Sequence, residues 1–464
     1  MAPWLLSGSR VLGANERLRL ASCGVNGRGD QLMKSFALLD GVEIAWIVDP
    51  DRRLLERRSE EMKERTGKKP LTTTDVRDAL ADPDVDGIIV AAPNHWHSLM
   101  VVWAAQAGKH CYVEKPASHD FNEGRVALEA FKKYGVVVQH GTHNRSNLGW
   151  AARVKAVQSG KYGRLAVAHA FACKARQGIG HSDPSQAPDW LDWNMWRGSA
   201  LIDDYNSKYV HYNWHWFWET GNGELNNQGT HQLDLAYWSL DPEMRTEFPT
   251  RVTSLGGRFK WDDQGVTPNT QISLAEYPNG QKVLMNVRNV DYDGYQRQVE
   301  NRFYFEDGGK IIGNRYISPS GESEGLEVDD PDHITLGGPF GAFVKACREN
   351  KPELANGSMV EGHYSSGLGH LMNIAYRIGE PQPFNEVANR FGDDKIVADQ
   401  FAELHEIVRE GMGVPEDGGR YQVGPWLSFD STAERFTGEH ADRANELLRD
   451  QRRDEFEMPA ADAV

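Results

Sequence analysis

The feature that most constrains this chain is a glycine-rich turn between a strand and a helix. The apolar run Leu18–Cys23 leads directly into Gly24-Val25-Asn26-Gly27-Arg28-Gly29, and a helical stretch, 30–39, follows. A buried strand ending in such a turn delivers the chain to a helix N-terminus, where backbone N–H groups face an anion. The same alternation continues to residue 140. Strands are expected at 42–48, 86–92, 110–113 and 135–140, and helices at 51–66, 98–107 and 121–134. Strands alternating with helices of this length specify βαβ units and a parallel sheet.

The turn approximates the dinucleotide pattern G-x-G-x-x-G, which sits after a strand, before a helix and about 20 residues ahead of an acidic group. Gly24 takes the tight turn and Gly29 the close helix–strand contact. Asn26 replaces the middle glycine; asparagine tolerates left-handed geometry better than most residues, and Gly27 beside it supplies room. Asp49 closes the second strand, 20 residues beyond Gly29. A carboxylate there can accept both ribose hydroxyls of NAD and would repel the 2′-phosphate of NADP. Arg52 and Arg53 lie close enough to leave NADP open, but NAD is favoured.

Ligands of an open parallel sheet bind beyond the carboxyl ends of its strands. Two loops are expected there, Pro93-Asn94-His95-Trp96-His97 and Glu114-Lys115-Pro116. With the stretch Gly221-Asn222-Gly223-Glu224-Leu225-Asn226-Asn227-Gln228-Gly229-Thr230-His231, these motifs resemble the glucose–fructose oxidoreductase, inositol dehydrogenase and rhizopine-catabolism (Gfo/Idh/MocA) family over about residues 18–380. The resemblance implies a Rossmann domain followed by an α/β domain with a large, mostly antiparallel open sheet that often serves as an oligomer interface. It also implies an active site between the two domains, at the nicotinamide. Lys115 would contact the reacting hydroxyl and His231 would act as general base. Gly24, Asn26, Gly27, Arg28, Gly29, Asp49, Pro93, Asn94, His97, Glu114 and Lys115 are the candidate cofactor contacts. A histidine of near-neutral pKa suits proton abstraction from a carbinol, and an ammonium beside it stabilises alkoxide character. A cis bond is expected at Lys115–Pro116. One position departs from the family: where its dehydrogenases often carry Asp one helical turn before the histidine, this chain has Asn227, with Glu224 or Asp234 available to compensate.

After residue 150 the pattern changes. A helix at 151–159 leads to a strand at 164–173 and then to a loop-rich segment, 174–222, dense in Trp, Tyr, Asp and Asn. Strands at 251–256, 271–277, 281–287 and 297–305, with the hairpin signal Pro278-Asn279-Gly280, read as an antiparallel sheet. The expected division is 1–17 as a leader remnant or extended arm, 18–145 as the dinucleotide-binding domain, and 146–464 as a substrate-binding and oligomerisation domain with a C-terminal helical extension. Aromatic faces interleaved with polar groups at 209–220 suit a sugar. His211, Trp214, Asn227 and Tyr205 are the candidate substrate contacts.

Composition excludes other classes. With 51 basic and 67 acidic residues the net charge is −16, which opposes general affinity for nucleic acid or an anionic membrane. No apolar run approaches the ~18 residues that would span a bilayer. Cys23, Cys111, Cys173 and Cys347 read as small buried hydrophobes. The pairs His95/His97 and His211/His215 lack a third ligand at diagnostic spacing, so no metal is assigned. The apolar, small-residue-rich segment 1–14 suggests export to the periplasm if it is the remnant of a signal; otherwise the chain is cytoplasmic. Residues 383–393 and 428–438 resemble one another as a weak repeat, and 449–464 is expected to fray.

Three functions compete. The leading one is an NAD-dependent dehydrogenase of a sugar, polyol or glycoside, working as a homodimer or tetramer. The second, drawn from relatives that hold NAD tightly, is a glycosidase that oxidises, eliminates, hydrates and reduces back. The third is a non-enzymatic sugar or nucleotide sensor.

Overall fold

The computed structural model describes residues 17–327, 334–387, 390–391 and 394–464. The leader-like segment and part of the first half of the weak repeat lie outside the described residues. Among those described, no helix is long and apolar enough to cross a membrane.

The first domain is a six-stranded parallel sheet in the order Leu71–Thr73, Val42–Val48, Leu18–Cys23, Gly87–Val90, His110–Val113, Val138–His140. The order reverses beside Leu18–Cys23, so the crevice for a ligand opens there, above the glycine turn. The central strands are buried on both faces, as helix-covered parallel strands must be, whereas the edge strand Leu71–Thr73 is largely exposed. The segment Asn94-His95-Trp96-His97, expected as a loop, is the first turn of the helix Asn94–Gln106. That helix is buried nearly all round, so it lacks the amphipathic period that would have marked its start.

The second domain is built on a twelve-stranded mixed sheet, antiparallel throughout except where Lys282–Arg288 runs parallel to Leu165–Cys173. One face carries the helices Gly229–Trp238 and Met359–Arg377, packed on Ala168, Ala170, Val252, Val283 and Phe303. The other face is not open over its central strands. Val167, Leu255, Ile272, Leu274 and Leu284 lie beneath Phe384, Val397, Phe401, Leu404 and Tyr421, contributed by the chain's own 384–423 region. A face expected to seek a second subunit is therefore covered there from within.

The tail is not frayed. Phe456 is fully buried among Rossmann residues, with Met458 and Val464 beside it, and its ring meets Trp96 edge-on at 5.3 Å. Arg452 is buried against Asp120 (2.6 Å) and Glu123 (2.8 Å). The two segments of the weak repeat adopt different structures: Phe384–Glu386 is a single helical turn, whereas Leu427–Asp430 and Arg435–Thr437 pair as a hairpin.

Candidate active site

A cavity of about 910 Å³ lies between the two domains. Its N-terminal wall is the glycine turn. Gly24 has φ +77°, and a Cβ there would meet the Ala91 carbonyl at 2.6 Å; a Cβ on Gly29 would lie 1.6 Å from the Gly24 carbonyl oxygen. These two positions admit only glycine. Asn26 sits in extended geometry (φ −90°), so its tolerance of left-handed backbone is not used; Gly27 (φ +43°) takes that role and faces open space. The Asn26 side chain does not cap the helix Gly27–Phe36. The Gly29 N–H donates to the Asn26 carbonyl (3.0 Å), while the N–H groups of Gly27 and Arg28 precede the first intrahelical bond, so the residues present fit a dinucleotide pyrophosphate.

Asp49 lines the cavity, and each of its oxygens already accepts a backbone N–H, from Val25 (2.8 Å) and Asp51 (2.9 Å). Burial pushes it up to about 6 against the pull of those bonds. The carboxylate is thereby fixed in direction and keeps one lone pair on each oxygen for a ribose. His211 does not stand at the expected sugar end. The segment 189–192 docks on the first domain through Arg52 N–H to the Trp190 carbonyl and Asp192 N–H to the Pro50 carbonyl. This brings His211 Nε2 to 3.1 Å from Asp51, beside Asp49, while the Arg53 guanidinium stacks 3.4 Å over Trp190. Tyr205 does not line the cavity; it is buried edge-on against Trp193 in an aromatic cluster. His97 lines the wall, but its ring nitrogens face the Pro116 (2.6 Å) and Ala92 (2.8 Å) carbonyls, so it ties two loops together. Asn94 donates to Asn222 across the domain boundary at 2.8 Å.

The opposite end holds the chemistry. Glu114 is buried and accepts from Arg28 Nε at 2.8 Å, with His143 at 3.5 Å. Burial works to raise this carboxyl, but His143, Arg28 and Lys115 outweigh it and hold Glu114 well below the usual carboxylate range. Lys115–Pro116 is cis, as expected. The Lys115 ammonium donates to the Asn227 backbone carbonyl (3.0 Å) and to Asn227 Oδ1 (3.2 Å). Burial lowers its proton affinity, Glu114 and Glu224 restore part of it, and Arg28 and Arg176 lower it again. His231 lines the same cavity; burial, reinforced by Lys115 and opposed by Glu114, pushes it down to about 3, below the near-neutral value expected, so the ring is neutral. Trp214 also lines this end and stacks on His215 at 3.6 Å. Of the residues offered to compensate for Asn227, Asp234 is committed to Arg145 (2.9 Å), whereas Glu224 accepts from Asn227 Nδ2 at 3.1 Å. His95, His97 and His215 turn ring nitrogens to backbone carbonyls. Among the described residues no group of three or more metal-binding side chains occurs.

Sequence reasoning missed His143, Lys174 and Arg176, all of which line the cavity. His143 falls three residues after the last parallel strand, at its carboxyl end, and that position was the available signal. Lys174 and Arg176 follow the strand Leu165–Cys173, whose destination depends on how the second sheet is laid against the first.

A nucleotide-binding sheet and a second sheet sharing one cleft, with a lysine and a neutral histidine inside it, define an oxidoreductase of two-domain type. The chain belongs to the Gfo/Idh/MocA oxidoreductase family. Residues 18–142 match its NAD-binding Rossmann fold and residues 147–407 its C-terminal alpha/beta domain. It is 38% identical over 283 residues to the uncharacterized oxidoreductase YrbE of Bacillus subtilis, covering 61% of this chain and 69% of YrbE. A glycosyl hydrolase family 109 protein of Shewanella baltica is 31% identical over 124 residues, covering 25% of this chain and 27% of its own length. In fold it is similar to the WlbA dehydrogenase of Bordetella pertussis, solved in complex with NADH and UDP-GlcNAcA (TM-score 0.56, 19% identity, 77% of this chain and 95% of that one).

Proposed function

We propose that this chain oxidises a hydroxyl group of a sugar, polyol or glycoside, with NAD held along Gly24–Gly29 and Asp49. When bound, NAD supplies the hydride acceptor. The observation that carries this reading is that Lys115 and His231 open into one cavity with the glycine turn. Lys115 holds the hydroxyl oxygen and lowers the cost of its negative charge; the neutral His231 ring takes the proton. Glu114 is kept ionised beside them and favours the cationic forms of both side chains. Trp214 and Tyr212 offer faces for the C–H side of a sugar ring.

A second reading uses the same residues without net oxidation: a glycosidase in which the hydride returns after elimination and hydration. The similarity of residues in this chain to a family 109 glycosyl hydrolase supports it. Free sugars and aryl glycosides offered to purified protein with NAD separate the two. Accumulating NADH absorbance supports the dehydrogenase. Aglycone release without NADH supports the glycosidase. No turnover in either panel, with NADH binding intact, refutes both.

A further inference from the structure

Asn227 occupies a place where its amide can point only one way. Its Nδ2 donates to Glu224 Oε2 (3.1 Å) while its Oδ1 accepts from the Lys115 ammonium (3.2 Å). The reverse orientation would set an NH₂ group against an ammonium and a carbonyl oxygen against a carboxylate, so both contacts would repel. Glu224 is in turn held by two bonds from Arg176, Nε to Oε2 at 3.2 Å and Nη2 to Oε1 at 2.8 Å, and Arg176 Nη1 reaches the Tyr212 hydroxyl at 2.9 Å. Glu224 has no exposed surface. A wholly buried carboxylate with its lone pairs directed at an arginine and an amide is expensive to keep unless it serves its neighbours. Here its charge meets Arg176 directly and reaches Lys115 through the Asn227 amide.

We propose that Glu224, acting through the Asn227 amide, aims and electrostatically balances the Lys115 ammonium, which makes Glu224 and Asn227 a positioning pair for the proton step. The carboxylate has moved one helical turn back and an amide adapter fills the space it left. This explains why residue 227 is an amide: a carboxylate there would stand about 3 Å from Glu224, and one of the two would have to take up a proton. The inference rests on the assignment of Lys115 to the reacting hydroxyl for its functional meaning, but not for its test. The other charged or titratable groups facing Lys115 are Glu114 and Arg28 from the first domain, Arg176 from the second, and the histidines 97, 215 and 231.

The test reads Lys115 directly in full-length protein without coenzyme or substrate. Acetic anhydride reacts only with the unprotonated amine, so the labelling of Lys115, followed by peptide mass spectrometry across pH, gives its midpoint. Glu224→Gln lowers that midpoint by about one pH unit, the size of effect expected when one nearby opposite charge is removed. The double variant Glu224→Gln/Asn227→Asp, with one amide and one carboxylate in exchanged places, returns it toward the wild-type value. Should Glu224→Gln fail to fold by near-UV circular dichroism, Asn227→Ala carries the test, because it breaks the link but leaves the Glu224–Arg176 pair whole, and it too lowers the midpoint. A midpoint within about 0.3 unit of wild type in folded Glu224→Gln and Asn227→Ala, or a double variant that stays at the Glu224→Gln midpoint, overturns the proposal. Because the labelling needs neither NAD nor sugar, a failure here leaves the proposed reaction standing, and a failure of the sugar panel leaves this result readable. In the active enzyme the alkaline limb of the pH–rate profile, where the Lys115 ammonium is lost, moves with the labelling midpoint, which a merely structural role for Glu224 would not produce.

Discussion

Replacing Arg452 by Met tests whether the C-terminal segment is part of the fold. The guanidinium, 5% exposed, bonds Asp120 at 2.6 Å, Glu123 at 2.8 Å and the Ser199 hydroxyl at 2.9 Å. Asp120 also caps the helix Phe121–Tyr134 by accepting from the Glu123 N–H. Removing this cation leaves Asp120 and Glu123 without their ion-pair partner, which costs about 3–5 kcal/mol when both remain ionised. The size of the loss depends on pH. Burial already pushes Glu123 up to about 8, with Asp120 and Asp450 adding to the rise and Arg452 opposing it, and burial pushes Asp450 up to about 6. A carboxyl whose folded-state proton affinity is raised takes up a proton on folding, so wild-type stability falls as pH rises from about 4.5 toward 8. Without Arg452 the affinity of Glu123 rises further and the fall continues above pH 8, where the wild type levels off. The penalty of Arg452→Met is therefore smallest near pH 5.5 and largest near pH 9. Urea unfolding at four pH values between these limits, extrapolated to water, measures it. A penalty under about 1 kcal/mol at pH 8, or one that does not change with pH, refutes the reasoning.

Other consequences are equally direct. Gly29→Ala places a Cβ 1.6 Å from the Gly24 carbonyl oxygen, so NADH affinity by fluorescence titration falls at least ~10-fold; unchanged affinity removes the turn from the binding site. Asp49→Ala weakens NADH binding and also loosens the Val25 turn, whereas Asp49→Asn keeps an acceptor oxygen and loses less; equal affinity in all three proteins rejects the ribose assignment. Phe401→Glu puts a charge into the layer that covers the outer sheet face, exposing Leu274 and Leu284 to other molecules, and light scattering then reports a larger particle than the parent at the same concentration.

The parallel sheet was legible because each of its signals is local. An apolar run, a glycine turn and a following helix occur within twenty residues, and Gly24, Gly29 and Lys115 could be placed from them. Two kinds of information were not local. The position of His211 follows from backbone bonds between residues 50–52 and 190–192, a pairing that neither segment announces by its own period or composition. The layer that includes the helix Lys395–Glu406 over the second sheet depends on which apolar face that helix meets, and the burial of Phe456 on where the polar segment 449–464 finds an apolar surface. Its composition alone suggests fraying. The helix Asn94–Gln106 illustrates the reverse problem: buried on nearly every side, it offers no polar face to mark its first turn.

The tail and the site are joined by an unbroken set of contacts, and this bears on why the chain keeps both. Phe456 packs on Trp96, whose indole N–H donates to the Trp196 carbonyl at 3.1 Å. The next residue but one to Trp96 is Ser98, which donates to the Ala117 carbonyl, and between them His97 reaches the Pro116 carbonyl. Both acceptors lie in the segment that follows Lys115. A segment fixed at two carbonyls within two residues leaves the lysine stem little freedom, so the direction of the Lys115 ammonium is set from the side of the helix Asn94–Gln106 as well as from Asn227. Loosening the tail then acts on the site through the orientation of Lys115, and the coenzyme turn, whose Gly24 packs on Ala91 at the end of the strand Gly87–Val90, feels it less.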